Sequence, residues 1–335
     1  MVSQKRSKSK NFNILFTCIG RRVSLLNSFR KAAKALKLNC QFLGTEKVEL
    51  NPAFQLCDKK FIVKSVDDVN YIKQVLQIVK QNNVKLLVPT IDLDLQVFAE
   101  SKDKFAAAGC TVLISKPEVI SIAHDKRLTY KFLVNNGFDT PVTYSVQQAL
   151  TKKNLKYPCF LKPWDGYASK GTAIARNHEE LVFYVKKVPN CIVQEFIRGK
   201  EFTCGIYIDF NGRVRCVVPR RRIETRAGEV SKGQTVKDLK IMHKTAEMVK
   251  KLGAGPGVIN VQLILTEDKQ IKFIEINPRF GGGTPLSIKA GADFPIWILQ
   301  GLCGKNPKIK FDGFKNNLVM LRYDAEVWLE NWRRT

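Results

Sequence analysis

The stretch that most constrains the fold of this chain is Ile271–Thr284 (IKFIEINPRFGGGT), together with the run before it, Gly257–Thr266 (GVINVQLILT). Two runs rich in β-branched residues meet across the polar segment Glu267–Gln270, the pattern of an antiparallel hairpin. Side chains alternate between the faces of a strand, so Glu275 and Asn277 project together, and Arg279 stays on that side if the strand runs on past Pro278. Gln262 can join them from the paired strand. A carboxylate, two amide oxygens and a guanidinium are costly to bury in an apolar hairpin without a partner. Carboxylate and amide oxygens are hard ligands suited to Mg2+ or Mn2+, and Mg2+ is usually held by few protein groups plus nucleotide phosphates. Arginine complements phosphate oxygens in bidentate fashion. The local pattern alone is equally consistent with a surface hairpin bearing an ordinary polar face.

With 335 residues the chain has the length of two domains or one elaborate one, and a content of 44% hydrophobic and 10% aromatic residues marks it as globular. It contains no run of about 18 apolar residues, so no membrane span is expected. Residues 1–10 (MVSQKRSKSK) lack the apolar core of a secretory signal and read as a basic tail. Nine cysteines are scattered without a CxxC pair, and the three histidines stand far apart, at 124, 178 and 243. Neither a disulfide framework nor a His/Cys zinc site is expected, and the expected compartment is reducing cytoplasm. The net charge of +26 favours anionic contacts: nucleotide phosphates, acidic substrates or nucleic acid. Because most lysines are interspersed rather than clustered, nucleic acid is the less favoured partner.

Strands and helices alternate through the first third: strands at 13–17, 39–44, 61–63, 86–88 and 110–114, with helices at 23–36, 69–81 and from about Asp94. This predicts a parallel sheet flanked by helices. No GxGxxG follows the first strand, so dinucleotide binding is unsupported. Gly20-Arg21-Arg22 occupies a βα turn, where helix amides and two guanidinium groups could hold an anion. Asp92 and Asp94 follow the carboxyl end of another strand, the usual ligand edge, although helix capping and dipole compensation account for them more simply.

Further on, a helix over 125–135 precedes the strand Tyr157–Lys162, the loop Trp164–Gly171 and a strand at 172–175. Lys162 facing a small-residue loop makes a phosphate clamp of charge and backbone amides, without being a Walker A sequence. A helix over 178–187 and a strand Cys191–Glu195 follow, then strands Glu201–Asp209 and Arg213–Arg222 about the turn Asn211-Gly212. Arg220 and Arg222 share a strand face and fit either an anionic substrate or a solvated edge. A helix over 237–252 leads to the hairpin, Gly281–Gly283 turns into a short helix, and Leu318–Trp328 reads as a last strand.

In this order, over about residues 120 to 300, the motifs resemble the ATP-grasp superfamily, particularly its carbamoyl phosphate synthetase large-subunit branch. The family's metal strand reads Glu-x-Asn-x-Arg with Gln or Glu on its partner, so the resemblance implies that Gln262, Glu275 and Asn277 hold Mg2+ (or Mn2+). Asp125-Lys126 resembles the family's opening helix, placing Lys126 on nucleotide phosphate. Lys162, Ser169, Lys170 and Gly171 resemble the phosphate loop, here with fewer glycines and a bulky Tyr167. Glu195, Phe196 and Ile197 match the adenine hinge, and Glu201 before Phe202 matches the ribose carboxylate. Ser231-Lys232-Gly233 stands where the synthetase branch has His-x-Gly, so that histidine contact is absent. Arg279 and Lys162 take the catalytic roles, and the acceptor pocket gathers Arg21, Arg22, Arg220, Arg222, Gly282 and Gly283.

The implied fold is α/β and α+β: a basic tail (1–10), a Rossmann-like pre-ATP-grasp domain (11–115), and a two-lobed ATP-grasp fold with a small lobe (116–192) and a large lobe (193–335). The implied activity is an ATP- and Mg2+-dependent ligase that activates a carboxylate as an acylphosphate and joins it to an amine. Its partners are then a small-molecule carboxylate and amine, with no membrane and with a homodimer left open. Two other classes stay open on the residues: a basic nucleic-acid- or ribosome-associated protein, and a nucleotide-binding protein without catalysis.

Overall fold

The computed structural model describes residues 12–166, 170–330 and 332, which group into two compact units. The first opens with strand β1 (Asn13–Thr17), helix α1 (Val23–Ala35), β2 (Phe42–Glu46), α2 (Pro52–Gln55), β3 (Lys59–Ile62) and α3 (Tyr71–Gln81). It continues with β4 (Val84–Pro89), α4 (Leu95–Glu100), α5 (Lys102–Ala107) and β5 (Thr111–Val112). The strands form a parallel sheet in the order β3-β2-β1-β4-β5. Ile14, Leu15 and Phe16 in its centre are wholly buried, as the continuous apolar run of a parallel strand requires. The second strand lies later than its predicted span of 39–44: its register with β1 runs from Phe42 to Thr45, and the Asn39 and Gln41 carbonyls accept from the Phe12 and Ile14 amides ahead of it. Only Thr111–Val112 of the predicted 110–114 run pairs with β4.

The second unit holds two antiparallel sheets. Helices α6 (Pro117–His124) and α7 (Lys126–Asn135) lead into β6 (Thr143–Ser145), α8 (Val146–Thr151), β7 (Cys159–Pro163), β8 (Ala173–Ala175), α9 (His178–Val185) and β9 (Cys191–Glu195). These strands run in the order β6-β9-β7-β8 over a small core that includes Leu161, Leu181 and Val193. Then follow β10 (Lys200–Ile208), β11 (Val214–Arg226), β12 (Glu229–Thr235), α10 (Leu239–Leu252), β13 (Gly257–Leu265), β14 (Ile271–Asn277) and α11 (Thr284–Lys289). Helix α12 (Phe294–Leu302) and β15 (Val319–Leu321) end the series. The larger sheet has the order β14-β13-β10-β11-β12-β15. Helix α10 shows why its bounds fall where they do. Asp238 accepts a hydrogen bond from the Ile241 amide at its start, and Gly253 takes a left-handed conformation (φ 68°) at its end.

Three differences from the sequence reading have physical causes. β11 runs on to Arg226 and turns through Ala227 and Gly228, both with positive φ (49° and 77°), into the unanticipated strand β12. Two such residues make the tight hairpin turn that Asn-Gly usually announces, and alanine gave no such signal. The last strand is only Val319–Leu321, the part that pairs with β12. The large lobe also does not run unbroken over 193–335: residues 293–308 and those from Tyr323 onward group with the first unit. There α12 packs on α1, and the Trp332 indole donates to Glu49 at 3.4 Å. Among the described residues no helix is long and apolar enough to cross a membrane.

Candidate active site

Within the second unit lies a cavity of about 280 Å³. Its polar lining comes from both sheets and from the start of α7: Gln262, Glu275, Glu201, Lys162 and Lys126. The β13–β14 ladder sets Gln262 directly opposite Glu275, and Asn260 opposite Asn277. Next to that pair the register slips, so that Leu263 faces Phe273 and Ile274 is left without a partner. Such a bulge re-aims side chains, and both Ile274 and Glu275 line the cavity.

Lys162, only 9% exposed on β7, carries the most perturbed charge in the cavity. Burial pulls its ammonium down to about 8, against the pull of Glu275 and with the push of Lys126. Lys126 donates through Nζ to the Gly166 carbonyl at 2.5 Å, and its amide bonds the Trp164 carbonyl at 3.0 Å. Asp125 caps α7 through the Arg127 amide and pairs with the Arg127 guanidinium, which stacks 3.8 Å above the Trp164 ring. The first turn of α7 is thereby fastened to the loop after β7. Lys170 lines the cavity, and Gly171 (φ 68°) sits near the Pro163 ring without lining it. Ser169 lies outside the described residues.

Glu195, Phe196 and Ile197 also line the cavity. The Glu195 carboxylate accepts from the Val142 amide at 3.3 Å and lies 3.9 Å from Lys272. Just beyond, Gly199 leaves no room for a Cβ against the Leu265 carbonyl, which fixes how closely this segment passes the end of β13. Glu201 is raised by burial, with Arg222 opposing and Glu275 reinforcing the effect. Arg222 lies 2.9 Å from Glu201 and donates to the Gly228 carbonyl and the Thr203 hydroxyl. The expectation that Arg222 faces substrate thus meets a guanidinium held by Glu201 and the β11–β12 turn.

β14 ends at Asn277, so Arg279 is carried by a turn and not by the strand as the sequence suggested; its amide bonds the Asn277 carbonyl at 2.8 Å. Its guanidinium reaches Asn277 Oδ1 at 3.4 Å and the Phe280 carbonyl at 3.1 Å. Neither Asn277 nor Arg279 lines the cavity; they extend the row of polar side chains beyond it. Asn260 joins the same row, donating to the Arg279 carbonyl and accepting from Arg220 Nη2, both at 2.6 Å. Strand alternation could have found Asn260, which precedes Gln262 by two on the same face. Arg220 is buried, which pulls it down to about 10, and among the described residues its Nη1 has no hydrogen-bond partner. Gly281, Gly282 and Gly283 pass so close to Asn260, Glu229 and Val230 respectively that a Cβ on any of them would meet an atom at 3.0 Å or less. Glu229, on the strand that the sequence reading missed, was not among the expected residues.

In the first unit the expected anion seat at Gly20–Arg22 has a different occupant. The Gly20 amide bonds the Glu46 carboxylate, which burial raises; Arg21 is exposed, and Arg22 stands at the N-cap of α1 without a side-chain cap. Asp94 stands at the N-cap of α4 without capping it. It is wholly buried, accepts from Thr17 Oγ1 at 2.6 Å, and is pushed up to about 7 by burial.

Among the described residues no group of three or more His, Cys, Asp and Glu side chains is placed to hold a metal ion. The Gln262–Glu275 pair, with Asn277 next on the strand, is a different kind of donor set: one carboxylate and amide oxygens. That set fits Mg2+, which leaves most of its positions to water and phosphate.

Residues 123–283 match the ATP-grasp domain family, and residues 14–113 match the PylC-like, N-terminal domain family. A D-alanine–D-alanine ligase of Fusobacterium nucleatum is 27% identical over 170 residues, 47% of this chain and 56% of that protein. A formate-dependent phosphoribosylglycinamide formyltransferase of Ignicoccus hospitalis is 23% identical over 290 residues, 76% of this chain and 69% of that protein. Among solved structures, the biotin carboxylase domain of Hydrogenobacter thermophilus 2-oxoglutarate carboxylase, in complex with MgADP, ADP and bicarbonate, superposes with a TM-score of 0.74. That superposition has 17% identity and covers 92% of this chain and 73% of that one. The chain spans 56%, 62% and 55% of the length of three D-alanine–D-alanine ligases that it matches. The two family matches thus give the chain the order of a PylC-like N-terminal domain over 14–113 and then an ATP-grasp domain over 123–283.

Proposed function

We propose that the protein is an ATP-dependent carboxylate-amine ligase. The observation that carries this reading is the cavity in which Gln262 and Glu275, paired across one ladder, share a lining with Lys126 and Lys162. Lysines set beside a carboxylate–amide donor pair suit a triphosphate with its metal better than they suit a neutral ligand.

In this reading Phe196 and Ile197 take the adenine, and Glu201 takes the ribose hydroxyls. Lys126 and Lys162 neutralise phosphate oxygens. Gln262, Glu275 and Asn277 would hold Mg2+ or Mn2+, which when bound supplies charge neutralisation at the phosphates. Phosphoryl transfer depends on positioning and electrostatics, and an ionised carboxylate has no proton to lose, so its attack on the γ-phosphate needs no general base. A substrate carboxylate oxygen forms the new P–O bond as ADP leaves, giving an acylphosphate. Arg279 stabilises its developing charge. An amine then attacks the acyl carbon, expels phosphate and leaves an amide.

The test is ADP release by the purified chain across a panel of carboxylates paired with amines. Release that requires both partners, with an equal amount of phosphate and amide, supports the ligase. Tight ATP binding with no ADP from any pair would instead make the protein a nucleotide binder without catalysis.

A further inference from the structure

We propose that Glu229 determines which substrate is joined, by receiving the ammonium of an α-amino acid bound at the Gly281–Gly283 turn. This rests on the ligase reading above. The turn follows directly from the polar row Glu275, Asn277 and Arg279, and the Glu229 carboxylate lies against it: an added Cβ on Gly282 would meet Glu229 Cδ and Oε2 at 2.7 Å. A glycine at that point lets a carboxylate approach the backbone that a substrate would also approach. Glu229 is accessible, its side chain 31% exposed, and Arg322 holds Oε2 at 2.9 Å. A carboxylate accepts in about four directions and Glu229 keeps exposed surface, so partners such as Arg322 fix its position while leaving it open to a cation.

A second observation places the opposite charge at the same turn. Arg220, 4% exposed, has a buried Nη1 with no partner among the described residues, and that atom lies 3.4 Å from where a Cβ on Gly283 would stand. An unpaired guanidinium nitrogen in a protein interior is expensive, and its usual remedy is an oxygen from water or ligand. One turn thus has a donor for an anionic oxygen beneath Gly283 and an acceptor for a cation beside Gly282. A bare carboxylate would meet the Glu229 charge unfavourably; a zwitterion would match both.

The test compares α-amino acids with analogues that lack the amino group, such as alanine with propionate and glutamate with glutarate, in the ADP-release assay. The wild-type chain should prefer the amino acids by about ten-fold or more in kcat/KM, since a site built to bind a polar group rejects the analogue without it. Glu229→Gln should bring the preference to within about two-fold while ADP affinity is unchanged. Arg322→Met separates recognition from bracing: a merely structural ion pair would make both variants behave alike, whereas recognition leaves the amino-acid preference in Arg322→Met. Equal turnover of desamino analogues by the wild type, or an undiminished preference in Glu229→Gln, overturns the assignment and leaves the ligase standing. If no member of the panel yields ADP although ADP binds, the ligase reading falls and the assignment falls with it.

Discussion

Arg222 Nε lies 2.9 Å from Glu201 Oε1, so this cavity-lining carboxylate is braced by an arginine two strands away from β13. Burial already raises the Glu201 carboxyl, and Arg222 is the group that opposes the rise. Arg222→Met should therefore weaken ATP binding by about ten-fold, the lower end for a charge-assisted hydrogen bond at a partly exposed site. It should also move the loss of affinity with acid to higher pH, because Glu201 would then protonate earlier. Calorimetric titration at several pH values checks both; an unchanged affinity and pH profile would show that the brace is idle.

Glu275 is the one carboxylate in the Gln262–Glu275–Asn277 donor set. Glu275→Gln keeps its shape and removes its charge. Turnover should fall by at least ~100-fold, the order seen when one preorganised electrostatic group is removed. Near-normal ADP release in that variant would refute the metal assignment.

Lys162 is pulled down to about 8 by burial, so it is charged below that pH and loses its proton above it. In the free protein, ATP affinity should decline as the pH rises through 8, because a neutral amine no longer offsets phosphate charge. Lys162→Met should bind ATP weakly and without that decline. The comparison is a pH series of dissociation constants; parallel curves for the two proteins would remove Lys162 from the phosphate site.

Asp94 bears on stability and not on nucleotide. Its carboxyl is pushed up to about 7 in the fold, above the aspartate range of about 4 that the unfolded chain keeps. Between those values the folded state binds more protons, so the contribution of Asp94 to stability falls as the pH rises from about 4 to 7 and is level above that. Each ten-fold difference in proton affinity is worth roughly 1.4 kcal/mol. Asp94→Asn keeps an oxygen for the Thr17 hydroxyl and should lose this dependence, gaining stability on the wild type toward pH 7. Denaturation midpoints of both proteins at pH 5 and pH 8 test the difference.

The hairpin was legible because its information is local: alternation put Glu275 and Asn277 together, and a four-residue polar turn set Gln262 opposite Glu275. The parallel order of the first sheet likewise follows from alternating strands and helices. What escaped was decided by backbone conformation or by distant partners. The left-handed Ala227 hid β12, and with it Glu229. Nothing local foretold that Glu46 would take the Gly20 amide, or that Arg222 would turn to Glu201. Long-range carboxylates competing for nearby donors leave no periodic trace.

The chain passes between its two units four times, after residues 114, 292, 308 and 322, and that interleaving bears on the order in which the protein can be finished. A ribosome will have delivered all five strands of the first sheet long before α12, the helix that covers part of α1, has been translated. Until then an apolar surface of α1, which ends at Ala35, waits for a partner that begins only at Phe294. The sheet of the first unit is thus delivered well before the helix that covers part of α1, so a truncation that removes α12 should harm strands far from it in sequence.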